Sequence, residues 1–245
     1  MNNNDYYLEL VGMDVIHYES LNIYPITYGE IQKNIGYQKL MRCFIPFQLS
    51  KDFIEITEKC TLEDDFDLFS DLIMKDENFL SNAAVILKIF CKPEKIYAKN
   101  NQLDLYDIDD NIFFSLTKDN FEIVTDILLR LNGIRKLKAE RPPVNMSERQ
   151  RDIWEKLQAG RAREAKKNEV TFYDVLNICE FAQYYISISE IKNWTIWKIL
   201  NCYHAKIGQK TYDDNLKIGI ASYDLKSISG KNHWFKQLMI QDDSE

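Results

Sequence analysis

The sequence predicts an α+β protein that is predominantly helical, with a small N-terminal β element, a mid-chain hairpin and a helical C-terminal bundle. Segments near the start and around residue 105 are rich in β-branched and aromatic residues and are broken by turn residues, which is typical of short strands. Most other segments repeat apolar residues at the spacing of a helix face. Several of these segments follow a Ser or Thr with an acidic residue or Gln three positions later, which is the pattern of a helix N-terminus.

The first 133 residues contain both predicted β regions. "YYLELVGMDVIHY" and "LNIYPITY" predict two short strands, and Thr27 with Glu30 predicts the start of a short helix. Gly36 marks a turn before a further helix, "YQKLMRCFI". Thr61 with Asp64 predicts, by the same spacing, the start of the helix "LEDDFDLFSDLIMKD", and "NFLSNAAVILKIF" has a wide apolar face.

A second β region and a long helix complete this part. "KIYAKNNQLDLYDIDDNIFFSL" predicts a hairpin or three-stranded meander, with turns at Asn100-Asn101 and Asp109-Asp110. Thr117 predicts the start of the next helix, and Asn132-Gly133 its end. The consecutive prolines that follow disfavour helix in the residues before them, which favours a domain boundary here. We therefore divide the chain into an N-terminal α+β domain (1–133), a basic linker with an exposed helix (134–170) and a C-terminal helical domain (171–245).

The C-terminal domain is predicted to be a bundle built around aromatic residues. Thr171 with Asp174 starts a first helix whose apolar face extends to Ile186, and Thr211 is a candidate start of a later short segment. Large rings give such a bundle much of its buried area. The residues expected to organise it are Trp194, Trp197, Tyr203 and Trp234.

No pattern of reactive side chains predicts an enzyme, so we expect no catalytic, cofactor-binding or metal-binding residues. The five cysteines are widely spaced and odd in number, which favours free thiols that fill apolar space. The three histidines lack the spacing of metal ligands, and glycine-rich phosphate loops are missing. Cys202 and His204 are close in sequence, but residues two apart point away from each other on a helix.

The charge of the chain is unevenly distributed. From Arg130 to Lys167 there are twelve basic and five acidic residues, so this segment carries +7 while the whole chain carries −7. Such a segment could attract nucleic acid, an acidic protein or the acidic remainder of the chain. Acidic residues are interleaved with the cations and aromatic residues are scarce, so nucleic acid is the less favoured partner. The predicted partner-binding residues are Trp154, Arg149, Arg151, Arg161 and Arg163.

The sequence also bears on location. No stretch approaches the roughly 18 consecutive apolar residues that suggest a membrane helix, and "MNNNDYYLEL" lacks the features of a signal peptide. We therefore expect an intracellular protein that has no membrane segment.

Four segments carry a resemblance to a known family: "LNIYPITYGEIQKNIGYQKL", "IVTDILLRLNGIRK", the Pro-containing linker before a charged helix, and the closing "NWTIWKILNCYH" with "GKNHWFKQL". Together they resemble tail assembly chaperone-like proteins of bacteriophages that infect low-GC Gram-positive bacteria. The resemblance implies a non-enzymatic protein of the host cytoplasm that holds the tape-measure protein in solution while tail-tube subunits assemble. The alternatives are a structural component of the tail and a nucleic-acid-binding protein that uses segment 130–167.

Overall fold

The fold combines ten helices with two small antiparallel sheets in the part of the chain that the structure describes. This computed structural model describes residues 14–50, 64–99, 101–137, 146–167, 170–182 and 186–222. The predicted fold class, α+β and predominantly helical, is confirmed. Parts of the predicted first strand and the candidate helix start Thr61 lie outside the described residues, as does Trp234.

A β-hairpin and three short helices begin the described chain. Strands β1 (Ile16–Tyr18) and β2 (Leu21–Ile23) pair antiparallel, with Ile16 opposite Ile23. Helices α1 (Tyr28–Asn34), α2 (Tyr37–Cys43) and α3 (Ile45–Gln48) follow. The predicted capping box is present, because the Thr27 amide donates to the Glu30 carboxylate at 2.9 Å and the Glu30 amide donates back to the Thr27 hydroxyl at 3.3 Å.

Two amphipathic helices come next. Helix α4 (Asp65–Lys75) begins after Asp64, whose carboxylate accepts from the Asp67 amide at 2.9 Å. Helix α5 (Glu77–Cys91) begins after Asp76 in the same way, with an accepted bond of 2.8 Å from the Asn78 amide.

A three-stranded meander and a long helix complete the N-terminal part. Strands β3 (Lys95–Lys99), β4 (Gln102–Tyr106) and β5 (Ile112–Leu116) pair antiparallel in sequence order, so the meander rather than a simple hairpin is present. Asn101 and Asp110 adopt the left-handed conformation, as expected for the two predicted turns. Helix α6 (Lys118–Leu131) starts after Thr117 and ends before Asn132.

The remaining helices are α7 (Glu148–Lys167), α8 (Phe172–Ala182), α9 (Ile188–Ile191) and α10 (Ile196–Ser222). Two predictions were wrong here. The apolar face expected to reach Ile186 within one helix is divided, because Ser187 and Glu190 form a new capping box that starts α9. Thr211 does not start a segment, since it lies inside α10 and its hydroxyl donates to the Ile207 carbonyl oxygen at 2.9 Å.

Two groups of buried side chains hold these elements together. The larger one extends from β1 to α6 and also contains Ile196 and Trp197 at the start of α10. The smaller one joins α8, α9 and α10 through Val175, Leu176, Cys179, Ile191 and Ile199. Phe172 packs against both groups, so α8 and the start of α10 are anchored on the N-terminal elements.

Backbone contacts reinforce this anchoring. The Tyr28 amide donates to the Trp194 carbonyl oxygen at 2.7 Å, and the Gly29 amide donates to that of Lys192 at 2.8 Å. Thr27 and Thr195 form an isolated antiparallel bridge beside them. These bonds supply partners for amides of the first turn of α1, which have no partner within the helix. We call this contact the α1–α10 joint.

Candidate functional site

Helix α7 carries all five predicted partner-binding residues and is exposed along most of its described length. It begins with the predicted capping box, in which the Ser147 amide donates to the Gln150 side chain at 2.9 Å. Within the helix, Lys156 donates to Asp152 at 2.7 Å across one turn. Because none of its described side chains is buried, local bonds of this kind stabilise α7 more than packing does.

One face of α7 combines apolar and basic side chains. Ile153 and Leu157 are one turn apart and are 48% and 56% exposed, so they form an apolar pair open to solvent. Arg149 precedes this pair by one turn and Arg161 follows it by one turn. Trp154 is half-buried at the border of the same face. We call these five residues the α7 face.

The structure thus brings together three of the predicted residues and separates the other two. Arg149, Trp154 and Arg161 belong to the α7 face, whereas Arg151 and Arg163 project from other sides of the helix, given its turn of 3.6 residues. The predicted set lacked Ile153 and Leu157. Their spacing was visible in the sequence, but the same spacing is usual for residues that pack into a core.

A groove lies between α1, α2 and α8. Its volume is about 640 Å³, and aromatic rings and two cations from α2 contribute to its lining. Tyr37 stacks on Phe172, with ring centroids 3.8 Å apart and an angle of 16° between the ring planes. Burial raises the pKa of Tyr37 to about 12. The lining includes Tyr28, Tyr37, Lys39, Arg42, Phe172 and Tyr173.

The thiol and imidazole groups that are close in sequence do not face each other as a pair. Cys202 packs instead against the smaller group of buried side chains. The ring of His204 packs edge-on against Tyr203, with ring centroids 5.3 Å apart, and burial together with the charge of Arg135 lowers its pKa. A base for nucleophilic catalysis would need to contact the thiol.

The described residues contain no group of three or more His, Cys, Asp or Glu side chains placed to hold a metal ion. Among the described helices, none has both the length and the hydrophobicity required to cross a bilayer. His17, the other described histidine, donates from Nδ1 to the side-chain oxygen of Asn22 at 2.7 Å across the first hairpin.

The α7 face is therefore the principal candidate for a site, and its chemistry is that of protein contact. Two open apolar side chains provide area, an aromatic ring lies beside them, and arginines flank them at both ends. A comparison of the chain with known protein families, with curated proteins and with solved structures finds no match.

Proposed function

We propose that this protein is a non-enzymatic phage morphogenesis factor, a tail assembly chaperone that binds the tape-measure protein during tail assembly. The family resemblance in the sequence supplies the biological context. The observation that carries the binding role is the α7 face, where Ile153 and Leu157 are about half exposed on a helix that has no described buried residue.

The chemistry of the α7 face favours one type of partner. An apolar pair one turn apart matches the apolar stripe of an amphipathic helix, which presents residues at the same spacing. Arginines at both ends would pair with carboxylates that flank such a stripe. A tape-measure segment with an apolar stripe and acidic borders fits both requirements, and covering its stripe would keep it from aggregating.

The direct test is co-expression of the full chain with the tape-measure protein of the same phage. The double variant Ile153→Asp, Leu157→Asp introduces two charges into the apolar pair. We expect it to reduce the soluble tape-measure protein several-fold while circular dichroism shows that the variant remains folded. Arg151→Glu is the matched control, because it changes a charge on another side of the same helix. Equal solubility with the wild type and the double variant would contradict the proposal.

Two further measurements separate this function from its alternatives. A structural component of the tail would be present in purified phage particles, whereas a chaperone would be absent from them. A nucleic-acid-binding protein would be retained on heparin in a strongly salt-dependent manner. Replacement of Arg149, Arg151, Arg161 and Arg163 by Glu would abolish that retention if segment 130–167 were responsible.

A further inference from the structure

The groove between α1, α2 and α8 has an aromatic floor. The ring of Phe172 on α8 contacts two tyrosine rings, because Tyr37 of α2 stacks on it with centroids 3.8 Å apart and Tyr28 of α1 is tilted against it at 5.5 Å. All three side chains line the groove and are partly buried. A volume of about 640 Å³ is in the range of ligand sites, and the rings offer apolar area to a large side chain that enters.

The lining of the groove is positively charged. Lys39 and Arg42 are three residues apart on α2, so they project from the same side of that helix, and both are exposed. Among the described residues, no carboxylate forms an ion pair with either cation, and no acidic residue lines the groove. Asp174, which follows the lining residue Tyr173, accepts instead from the Thr171 amide at 2.9 Å. An anionic group would therefore supply the missing counter-charge.

The aromatic surface extends from the groove along α8. Tyr173 lines the groove yet is 70% exposed, and Phe181, just over two turns later, is 85% exposed. The two residues are about 12 Å apart along the helix axis and within about 80° of each other around it. A small molecule in the groove would not also cover Phe181. The arrangement therefore fits a length of polypeptide chain better than a small ligand.

We propose that this groove binds an acidic segment of a partner protein that carries at least one aromatic or large aliphatic side chain. The apolar side chain would pack against Tyr37 and Phe172, and carboxylates beside it would pair with Lys39 and Arg42. The positive lining would disfavour a basic segment. None of the described lining residues belongs to α7, so the inference is independent of the function proposed for the α7 face.

The test measures the binding of a short fluorescein-labelled synthetic peptide to the full-length protein by fluorescence anisotropy. In this peptide, a phenylalanine and a leucine are flanked by glutamates. We expect saturable binding that weakens as the salt concentration rises, because both cations are exposed. The double variant Lys39→Glu, Arg42→Glu should raise the dissociation constant at least about fivefold at low salt. Tyr173→Ala should raise it about threefold or more.

These three substitutions affect exposed side chains, so the variants should have the circular dichroism spectrum of the wild type. Lys33→Glu is the matched control, because it reverses an exposed cation of α1 that does not line the groove. It should weaken binding much less than the double variant does. The variant Ile153→Asp, Leu157→Asp should bind the peptide as the wild type does, which separates this site from the α7 face.

Four results would overturn the proposal. The first three are no saturable binding by the wild type, equal binding by the variant Lys39→Glu, Arg42→Glu, and equal binding of a peptide with glutamine in place of each glutamate. The fourth concerns a second copy of the chain as the occupant. If sedimentation velocity showed a wild-type dimer that the double variant converts into a monomer, the groove would be an interface between copies.

Discussion

Replacement of Gly29 by alanine tests the α1–α10 joint, because the backbone of the α9–α10 connection passes directly over this glycine. The Gly29 amide donates to the Lys192 carbonyl oxygen at 2.8 Å. An added Cβ would lie 2.9 Å from that oxygen and 3.3 Å from the Lys192 Cβ. The first distance is shorter than any ordinary contact of a Cβ atom, so the connection would have to move.

The expected change in the free energy of unfolding follows from opposing effects of the added methyl group. Alanine in place of a helical glycine stabilises a helix by up to about 1 kcal/mol where the new methyl group meets no obstacle. Forcing a methyl group into a packed site costs about 1–3 kcal/mol. Displacement would also strain the bond from Tyr28 to the Trp194 carbonyl oxygen, and a hydrogen bond of this kind contributes about 1 kcal/mol. We therefore expect Gly29→Ala to lower the free energy of unfolding by about 1–3 kcal/mol.

The assay is urea unfolding monitored by tryptophan fluorescence and by circular dichroism. Gly160→Ala in α7 is the matched control, since the added Cβ meets no atom within 4 Å apart from its chain neighbours and the nearby backbone of α7 itself. This control should leave stability unchanged or raise it by up to about 1 kcal/mol. A Gly29→Ala variant at least as stable as the wild type would refute the close approach of α1 and the α9–α10 connection.

Three further predictions concern pH and packing. The hydrogen bonds donated by Thr27 lower the pKa of Glu30 below its ordinary 4.5. The contribution of Glu30 to stability is therefore present above that pH and is lost as the pH falls through the folded pKa. In urea unfolding, the stability of Glu30→Gln should depend less on acid pH than that of the wild type. Burial raises the pKa of Tyr37 from 10.0 to about 12, so the free energy of unfolding should fall between these pH values. Tyr37→Phe should remove this contribution to the loss of stability at alkaline pH, measured in the same assay. Trp197 is 5% exposed in the larger core, so Trp197→Ala should cost about 3–5 kcal/mol of unfolding free energy, and a loss below about 1 kcal/mol would contradict its burial there.

The features that the sequence predicted well are local ones. A capping box involves residues three apart, so Thr27 and Ser147 could be recognised before any tertiary contact was known. The turns at Asn101 and Asp110 could also be predicted locally, because Asn and Asp tolerate the left-handed conformation. Apolar spacing likewise located α4, α5 and α6.

The features that the sequence did not predict depend on partners far along the chain. The apolar spacing continues up to Ile186, so it gave no sign of the new helix start at Ser187. Thr211 has the side chain of a helix cap, but its hydroxyl donates to the Ile207 carbonyl oxygen within α10. The contact of the Cys179 thiol with the Ile199 carbonyl oxygen depends on how α8 and α10 pack, which no local pattern specifies. The same applies to the α7 face, because periodicity alone does not distinguish a stripe that faces a core from one that faces solvent.

The α1–α10 joint also has a consequence for the order of events during synthesis. Tyr28 and Trp194, which it connects, are about 166 positions apart, so a ribosome adding roughly 5–20 residues per second needs on the order of 10–30 s between them. Throughout that interval, the nascent N-terminal elements lack Ile196 and Trp197 and leave part of their apolar interior uncovered. A pulse-labelled, ribosome-bound chain arrested before residue 190 should therefore be digested by protease faster than one arrested well after α10 has emerged.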